Sequence, residues 1–562
     1  MGPVASHQYC GLPTELSNFQ GYFECDDAVK VGRPSSIEDV QALVSAFPHV
    51  KASGVGHSWW RQQFCAGNTS DSINIVMTEL KPTLDFMAAP ADPKQWTSQP
   101  VPPSFPIQVD EDKQTVTVAA GVTQRALLDY LSEYRYWKQP AGWTLGAFAW
   151  FLDQTIGGAV ATASHGSSMR YGTLSAQLRG LKMVLANGSL VEFTPEKNPH
   201  LFRAAGVGVG RLGVTTEITL KIKPQLPVTR SLLQPSFRDF ATAIKTVQDA
   251  YTAAKKAGDT EAMKRALFQV DETQAFWAVP TASVQVTSYS HPEKDPSFVV
   301  LNISPAGEPL VQGMNGPGDD VVAQVEKAPV PPNPRMAAAG STRFWSNMYV
   351  QALRPKVAPG TFESRRAFLS MSDSETATTA GFAPYDQYEV AIPLERAGTC
   401  LMEVGNEIYN PARPLYDGFR TPLLLRFTTK EDLYLSPASD GPLMWINMED
   451  YISRSSGRPN DLFQRTVQLF RQRCGARLHW GKAGWPQHAK CFQGAQEYPN
   501  TWCSFGCAVQ ELDPAGKFAS EWDGWRWQAT RGGQPVPFSS CCTASGFSTQ
   551  CKCAPRSDCS AA

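Results

Sequence analysis

Two stretches of very small side chains constrain this chain more than anything else in it. One is Ala52-Ser53-Gly54-Val55-Gly56-His57-Ser58. The other is Thr155-Ile156-Gly157-Gly158-Ala159-Val160-Ala161-Thr162-Ala163-Ser164-His165-Gly166-Ser167. Each mixes glycines and hydroxyls with a single imidazole, and each follows sequence that reads as strand. Glycine lets the backbone approach a ligand closely and take positive φ. Successive free N–H groups at such turns form anion-binding concavities. Two loops of this kind in one domain predict a long, phosphate-containing cofactor held along its length.

The 562 residues exceed one hydrophobic core, and at ~100–200 residues per domain they predict two to four domains. Charged residues make up 18% and the formal net charge is −1, which gives no electrostatic reason to expect nucleic acid or an anionic membrane surface. The densest apolar run, Leu145 to Leu152, is far short of the ~18 residues needed to span a bilayer. A soluble protein without a membrane span is expected.

The thirteen cysteines are placed unevenly. Cys10, Cys25 and Cys65 lie early and Cys400 stands alone. Cys474, Cys491, Cys503, Cys507, Cys541, Cys542, Cys551, Cys553 and Cys559 crowd the end. Clusters at the termini fit disulfides that fasten loose ends, which predicts a secreted protein or one of the secretory-pathway lumen. The sequons at Asn68, Asn187 and Asn302 agree with that. A zinc site on Cys551, Cys553 and Cys559 is the rival reading, but no histidine follows in the tail and the spacing matches no common pattern. The odd count leaves at least one free thiol, and isolated Cys400 is the expected buried one. Met1 to Ala5 shows no basic region followed by an apolar stretch, so a leader is expected to have been removed or to lie upstream.

Along the chain, Ser35 to Phe47 and Val122 to Tyr134 read as helices, and Ile73 to Met77, Phe105 to Val109 and Gln114 to Ala119 as strands. Leu181 to Phe193 reads as a hairpin turning at Asn187-Gly188, the pair favoured in a type I′ turn. Val214 to Ile222 alternates as a strand, and Pro224 ends the unit. Ala88 to Pro106 is a proline-rich insertion. Phe237 to Arg265 is helical, and Glu272 to Phe344, rich in Pro, Gly and Ser, reads as a long irregular insertion. Strand and helix then alternate from Gln387 to about His479. The expected fold is α+β: an N-terminal segment 1–29, a cofactor domain 30–225, a substrate or cap domain 226–490 with an antiparallel sheet covered by helices, and a return segment with a cysteine-rich tail 491–562.

The paired glycine loops, with His57 in a Gly-His-Ser context, resemble the two-subdomain FAD-binding domain of the vanillyl-alcohol-oxidase and p-cresol-methylhydroxylase (PCMH) type. Four later motifs narrow the resemblance to the aldonolactone oxidoreductases, which include gulonolactone and arabinonolactone oxidases. They are Tyr388-Glu389-Val390-Ala391-Ile392-Pro393-Leu394-Glu395, Leu423-Leu424-Leu425-Arg426-Phe427, His479-Trp480-Gly481-Lys482 and Leu512-Asp513-Pro514-Ala515-Gly516-Lys517-Phe518. One departure stands out. The family often carries Glu-x-Arg on the substrate strand, whereas Leu424 stands two residues before Arg426.

The resemblance implies FAD bound covalently through His57. It implies further contacts from Ser53, Gly54, Val55, Gly56, Ser58, Gly121, Gly157, Gly158, Thr162, Ser164, His165, Gly166, Ser167, Gly213 and Val214. His165 reads as a hydrogen-bonding, structural residue. The bland alternatives are a satisfied loop histidine for His57 and tight strand packing for the glycines. Lys482, Arg426, Thr155, Glu389 and His479 are the candidate catalytic residues. Lys482 would offset negative charge on the reduced flavin or else make a salt bridge. Arg426 would present a planar donor fork to a substrate oxygen or else pair with Glu389. Thr155 reads equally as a substrate-facing hydroxyl or a strand residue.

The implied reaction is oxidation of a sugar-derived lactone by hydride transfer to flavin N5. Oxygen, giving hydrogen peroxide, or another acceptor would take the electrons, and Ala149 falls where the family controls oxygen access. An alditol or carbohydrate oxidase on the same fold is the nearer alternative. A non-catalytic secreted binding protein is the farther one.

Overall fold

The computed structural model describes residues 9–10, 16–19, 23–79, 106–133, 141–290, 301, 303, 359–363, 386–413, 415, 419, 421–450, 461–488, 491–522 and 524–558. Two sheets build the N-terminal part. The first has the order β1-β2-β4-β3, with β1 Tyr9–Cys10, β2 Lys30–Gly32, β3 His49–Ser53 and β4 Ser72–Val76. β2, β3 and β4 run parallel, which requires a crossover. Helix α1, Ile37–Ala46, makes it: Ser36 and Asp39 form a capping box, and Val40, Leu43 and Val44 are buried.

The second sheet holds β5 Ile107–Asp110, β6 Thr115–Ala119, β7 Trp143–Leu145, β8 Leu178–Val184, β9 Leu190–Phe193 and β10 Val214–Pro224 in the order β5-β6-β10-β8-β9, with β7 paired to β10. The hairpin β8–β9 turns where Asn187-Gly188 predicts, with Gly188 at φ 81°. The predicted second helix is α2, Gln124–Glu133. The return segment closes onto the first sheet: Val50 N–H donates to the Lys517 carbonyl at 3.0 Å, and Phe518 joins the core of Val40, Leu43 and Ile75.

The third sheet is wholly antiparallel and eight-stranded, in the order β14-β11-β13-β12-β16-β17-β15-β18. Its strands are β11 Pro227–Leu233, β12 Thr273–Ala278, β13 Ser283–Ser290, β14 Gly360–Glu363, β15 Asp386–Pro393, β16 Leu423–Thr428, β17 Leu443–Asp450 and β18 Arg477–Leu478. Three long helices accompany it: α3 Phe237–Ala257, α4 Leu394–Ile408 and α5 Asp461–Cys474. α3 and α4 lie so close that a Cβ at Gly398 would collide with the Lys245 backbone. The Gln248 amide bonds both the Thr399 hydroxyl and its N–H, at 3.0 and 2.9 Å.

Two expectations need correction. Residues 272–344 are not irregular throughout, because β12 and β13 occupy the middle of the third sheet. Their alternating Val284 and Val286 are buried on one face, with Gln285 and Thr287 on the other. Cys400 is not a free thiol: it bonds Cys474 and ties α4 to α5. The tail cysteines form disulfides as expected, and not the rival zinc site: Cys553 bonds Cys503, Cys551 bonds Cys541, and Cys542 bonds Cys507. Cys25 bonds Cys65, as terminal fastening predicts. The insertion at 88–105, residues 304–344, Asn302 and Cys559 lie outside the described residues.

Candidate active site

The first glycine loop leaves β3 and the second surrounds the short helix Ile156–Ala161; together they wall one cleft. Ser53, Gly54, Val55, Gly56, His57, Ser58, Thr155, Gly157, Gly158, Thr162, Ser164 and Gly213 all line it, with His479, Gly481 and Lys482 from the far motif. Gly56 needs its glycine, at φ 84°. The cleft holds about 1220 Å³ of atom-free space, its open mouth included.

Its walls suit FAD. A side chain added at Gly210 would meet nothing within 4 Å, and one at Gly158 only the Thr155 hydroxyl at 3.2 Å, so the backbone is bare to a ligand at both places. The buried amide oxygens of Gln63 and Gln154, in the same wall, have no hydrogen-bond partner. Lys51 adds a cation whose pKa is pulled down to about 7 by burial and by Arg211, with Asp513 opposing. His57 stacks on Phe19 at 3.9 Å.

Beyond the Thr162–Ser164 turn, the second loop changes task. His165 to Ser168 clamp onto β16 of the third sheet. Arg426 donates to the His165 carbonyl at 2.7 Å, Phe427 N–H to the Ser167 hydroxyl at 3.0 Å, and Ser168 N–H to the Phe427 carbonyl at 2.7 Å. Gly121, His165, Gly166, Ser167 and Val214 therefore do not line the cleft. Cβ atoms at Gly121 and Gly166 would strike the Met77 and Phe148 carbonyls, and Val214 is fully buried in the first sheet's core.

On the sheet face that meets this clamp stands a buried charged cluster. Arg426 pairs with Glu389, and His165 Nε2 lies 3.3 Å from the same carboxylate. Leu424, Asn447 and Glu389 occupy one cross-strand row of β16, β17 and β15. The carboxylate absent at position 424 thus reaches Arg426 from two strands away. Burial alone would raise the Glu389 pKa, but the Arg426 guanidinium beside it outweighs that and holds the carboxyl well below its usual range. Burial pushes both His165 and His479 down, and Arg426 adds to the effect. The cluster thus holds an ionised carboxylate, a guanidinium and two neutral imidazoles.

His165 Nδ1–H donates to the Gly166 carbonyl at 2.9 Å, which leaves the Nε2 lone pair without a donor. The Arg426 Nε–H is also unpartnered. Trp445 stacks on His165 at 4.0 Å and fixes the ring.

Lys482 connects the two regions. Its ammonium lines the cleft and is held by the Gln387 side chain, whose amide donates to Glu449 at 2.7 Å. Burial lowers its pKa from 10.5 to about 8, with Glu389 pulling back. His479 accepts from Gly481 N–H at 3.0 Å, which shapes the turn presenting Lys482. Gln387, Glu449 and Lys51 were not singled out from the sequence. Gln387 shares a face with Glu389 by strand period, but Glu449 joins them only through the pairing of β15 with β17, and Lys51 is an isolated lysine within an ordinary strand.

Comparison with known proteins agrees with this architecture. The FAD binding domain family matches residues 106–194 and the D-arabinono-1,4-lactone oxidase family matches residues 363–524. L-gulono-1,4-lactone dehydrogenase of Mycobacterium tuberculosis is 24% identical over 515 residues, 90% of this chain and 97% of that protein. L-gulonolactone oxidase of Bos taurus is 23% identical over 428 residues, 73% and 81%. The mitochondrial L-galactono-1,4-lactone dehydrogenase of Arabidopsis thaliana is 36% identical over 115 residues, 20% of this chain and 18% of that protein. Among solved structures, the cholesterol oxidase from B. sterolicum superposes with a TM-score of 0.60 at 14% identity, covering 92% of this chain and 99% of that one.

Fold and cleft together define an FAD-dependent oxidoreductase of the PCMH type. Within that class the chain is similar to the aldonolactone oxidases and dehydrogenases, with the D-arabinono-1,4-lactone oxidase family matching residues 363–524.

Proposed function

We propose that the protein oxidises a hydroxyl of a gulono-, galactono- or arabinono-1,4-lactone, with FAD attached covalently through His57. One observation carries the reading: Lys482 lines the cofactor cleft while its partner Gln387 stands on the sheet two residues from Glu389. A cofactor in the cleft and a substrate on the sheet face would share that cation. FAD held by the two glycine loops would supply the hydride acceptor, N5, and the route of the electrons to O2 or another acceptor. The chain's own groups divide the remaining work. Arg426, oriented by Glu389 and the His165 carbonyl, offers its unpartnered Nε–H to a substrate oxygen. His165 Nε2 takes the hydroxyl proton, and the adjacent Glu389 stabilises the imidazolium. Lys482 offsets the negative charge that develops in the cleft. Oxidation at C2 of such a lactone gives a 2-keto product that tautomerises to an ascorbate-type enediol.

Anaerobic titration with L-gulono-, L-galactono- and D-arabinono-1,4-lactone tests the reading: at least one should bleach the flavin's visible absorbance, and bleaching by none would overturn it. A polyol oxidase is the second reading, favoured by apolar Leu424 beside Arg426 on the sheet face. Bleaching by xylitol or sorbitol alone would select it. For the covalent bond, acid-precipitated wild-type protein should stay yellow and His57→Ala should release its flavin; freely extracted wild-type flavin would refute the attachment. The disulfides also suit folding in an oxidising compartment, so the protein belongs to the secretory pathway or the cell exterior. Recovery from the cytosol with free thiols would contradict that placement.

A further inference from the structure

The sheet face that carries Arg426 and Glu389 continues away from them onto β12 and β13. Side chains two residues apart on a strand share a face, so the pairing Phe276↔Leu424 sets Phe276 and Gln274 on the face of Leu424 and Arg426. The pairs Gln274↔Thr287 and Phe276↔Gln285 extend it one strand further. Gln274, Gln285 and Thr287 are at least nine-tenths buried, with 4%, 6% and 0% of their surface exposed. Even so, among the described residues Gln285 has neither its amide nitrogen nor its oxygen bonded, and Gln274 Oε1 and Thr287 Oγ1 also lack partners.

Native interiors pair their buried polar groups almost without exception, because an unpaired one forfeits its hydrogen bonds to water. Several such atoms on one patch, beside the reactive cluster, have no partner among the described residues and suit a bound ligand. Gln285 offers a donor and an acceptor together, the complement of a hydroxyl that both gives and takes a hydrogen bond. Phe276, flanked by Leu424 and Trp150, supplies an apolar surface among them, suited to the C–H face of a sugar.

We infer that Gln274, Gln285 and Thr287 form a hydroxyl-reading subsite that holds the part of a polyhydroxylated substrate remote from the oxidised carbon. This rests on the site being a flavin-linked hydroxyl oxidase, and it adds which residues discriminate among substrates. The subsite sets affinity and choice of substrate, while the reacting carbon is handled by Arg426 and Lys482.

The test compares the holoprotein with Gln285→Met and, separately, Thr287→Val. Two readouts are taken with the three lactones and with xylitol and sorbitol: anaerobic flavin reduction and ligand-induced thermal shift. Each variant should weaken apparent affinity for the preferred compound roughly tenfold, with a much smaller effect on the limiting reduction rate. The ligand-free melting temperature should stay level or rise, since an unsatisfied polar group has been removed. Affinity equal to wild type alongside a raised melting temperature would mean that the patch holds ordered water only, and would overturn the inference. If no compound bleaches wild-type flavin, the proposed reaction fails by itself. The subsite then stands if a polyhydroxy compound shifts the wild-type melting temperature and not that of Gln285→Met, and falls if none shifts the wild type.

Discussion

The cofactor cleft and the polar face of the eight-stranded sheet meet at Lys482, yet they are built in opposite ways. The cleft is made mainly of short consecutive runs: besides the two glycine loops, residues 208–213 and 479–482 line it, and the backbone lies bare at Gly158 and Gly210. The sheet face is made of residues far apart in the chain. Gln274, Glu389, Arg426 and Asn447 come from four strands and meet only through sheet order and register. A wall of local loops can lose a side chain and keep its shape. A buried network of ionic and amide groups loses a partner and leaves a charge stranded.

The sharpest way to break that comparison is to remove Arg426. Arg426→Ala leaves Glu389 buried and ionised without its partner, and should lower stability by about 3–5 kcal/mol as well as weaken substrate capture. Denaturant unfolding checks it; a stability loss below 1 kcal/mol would mean the face tolerates truncation as the loops do.

Lys482→Met should act on chemistry instead. Flavin reduction in stopped flow should slow by ~10²–10³, with no loss of melting temperature, because an ammonium held by one amide gives way to an apolar side chain of similar length. A variant that unfolds would make Lys482 a member of the structural network. The Cys400–Cys474 bond is the structural control behind the sheet. Replacing both cysteines by alanine should cost about 2–4 kcal/mol while leaving bleaching by substrate intact. Detection of free Cys400 in the wild-type protein would contradict the bond.

The smallest effect concerns pH. Lys482 loses its proton at about pH 8, so flavin reduction should decline above that pH in the wild type and stay flat in Lys482→Met. Stability takes the opposite sign. Between about 8 and the ordinary lysine value of 10.5 the unfolded chain binds the proton that the folded one has released, so stability rises with pH there. A wild-type rate that climbs through this range would refute the role of the cation.

What was legible in the sequence follows the same division. The glycine loops announced the cleft because their information is local, and the short motifs around Arg426 and Lys482 were visible for the same reason. Glu389 was recognised as a candidate, but its position facing Arg426 across β17 depends on a strand order that no spacing encodes. β12 and β13 were misread because one of their two buried faces carries polar side chains. Ser283 to Ser290 alternates, yet Gln, Thr and Ser stand where an ordinary buried strand face carries apolar side chains, and the surrounding Pro- and Gly-rich composition swamped the pattern. Cys400 misled in a related way. Isolation in sequence said nothing of its nearness to Cys474, which the packing of α4 against α5 decides.

The central claim is that cofactor and substrate occupy these two separate regions and share Lys482. Diffraction from crystals of the FAD-loaded protein soaked with the lactone that bleaches it tests this directly. The account predicts the flavin in the cleft between the Ser53–Ser58 and Thr155–Ser164 loops with Lys482 beside its ring, and the lactone against Arg426 with its remote hydroxyls toward Gln274 and Gln285. A flavin ring away from Lys482, or a lactone bound without touching the β12–β16 face, would contradict it.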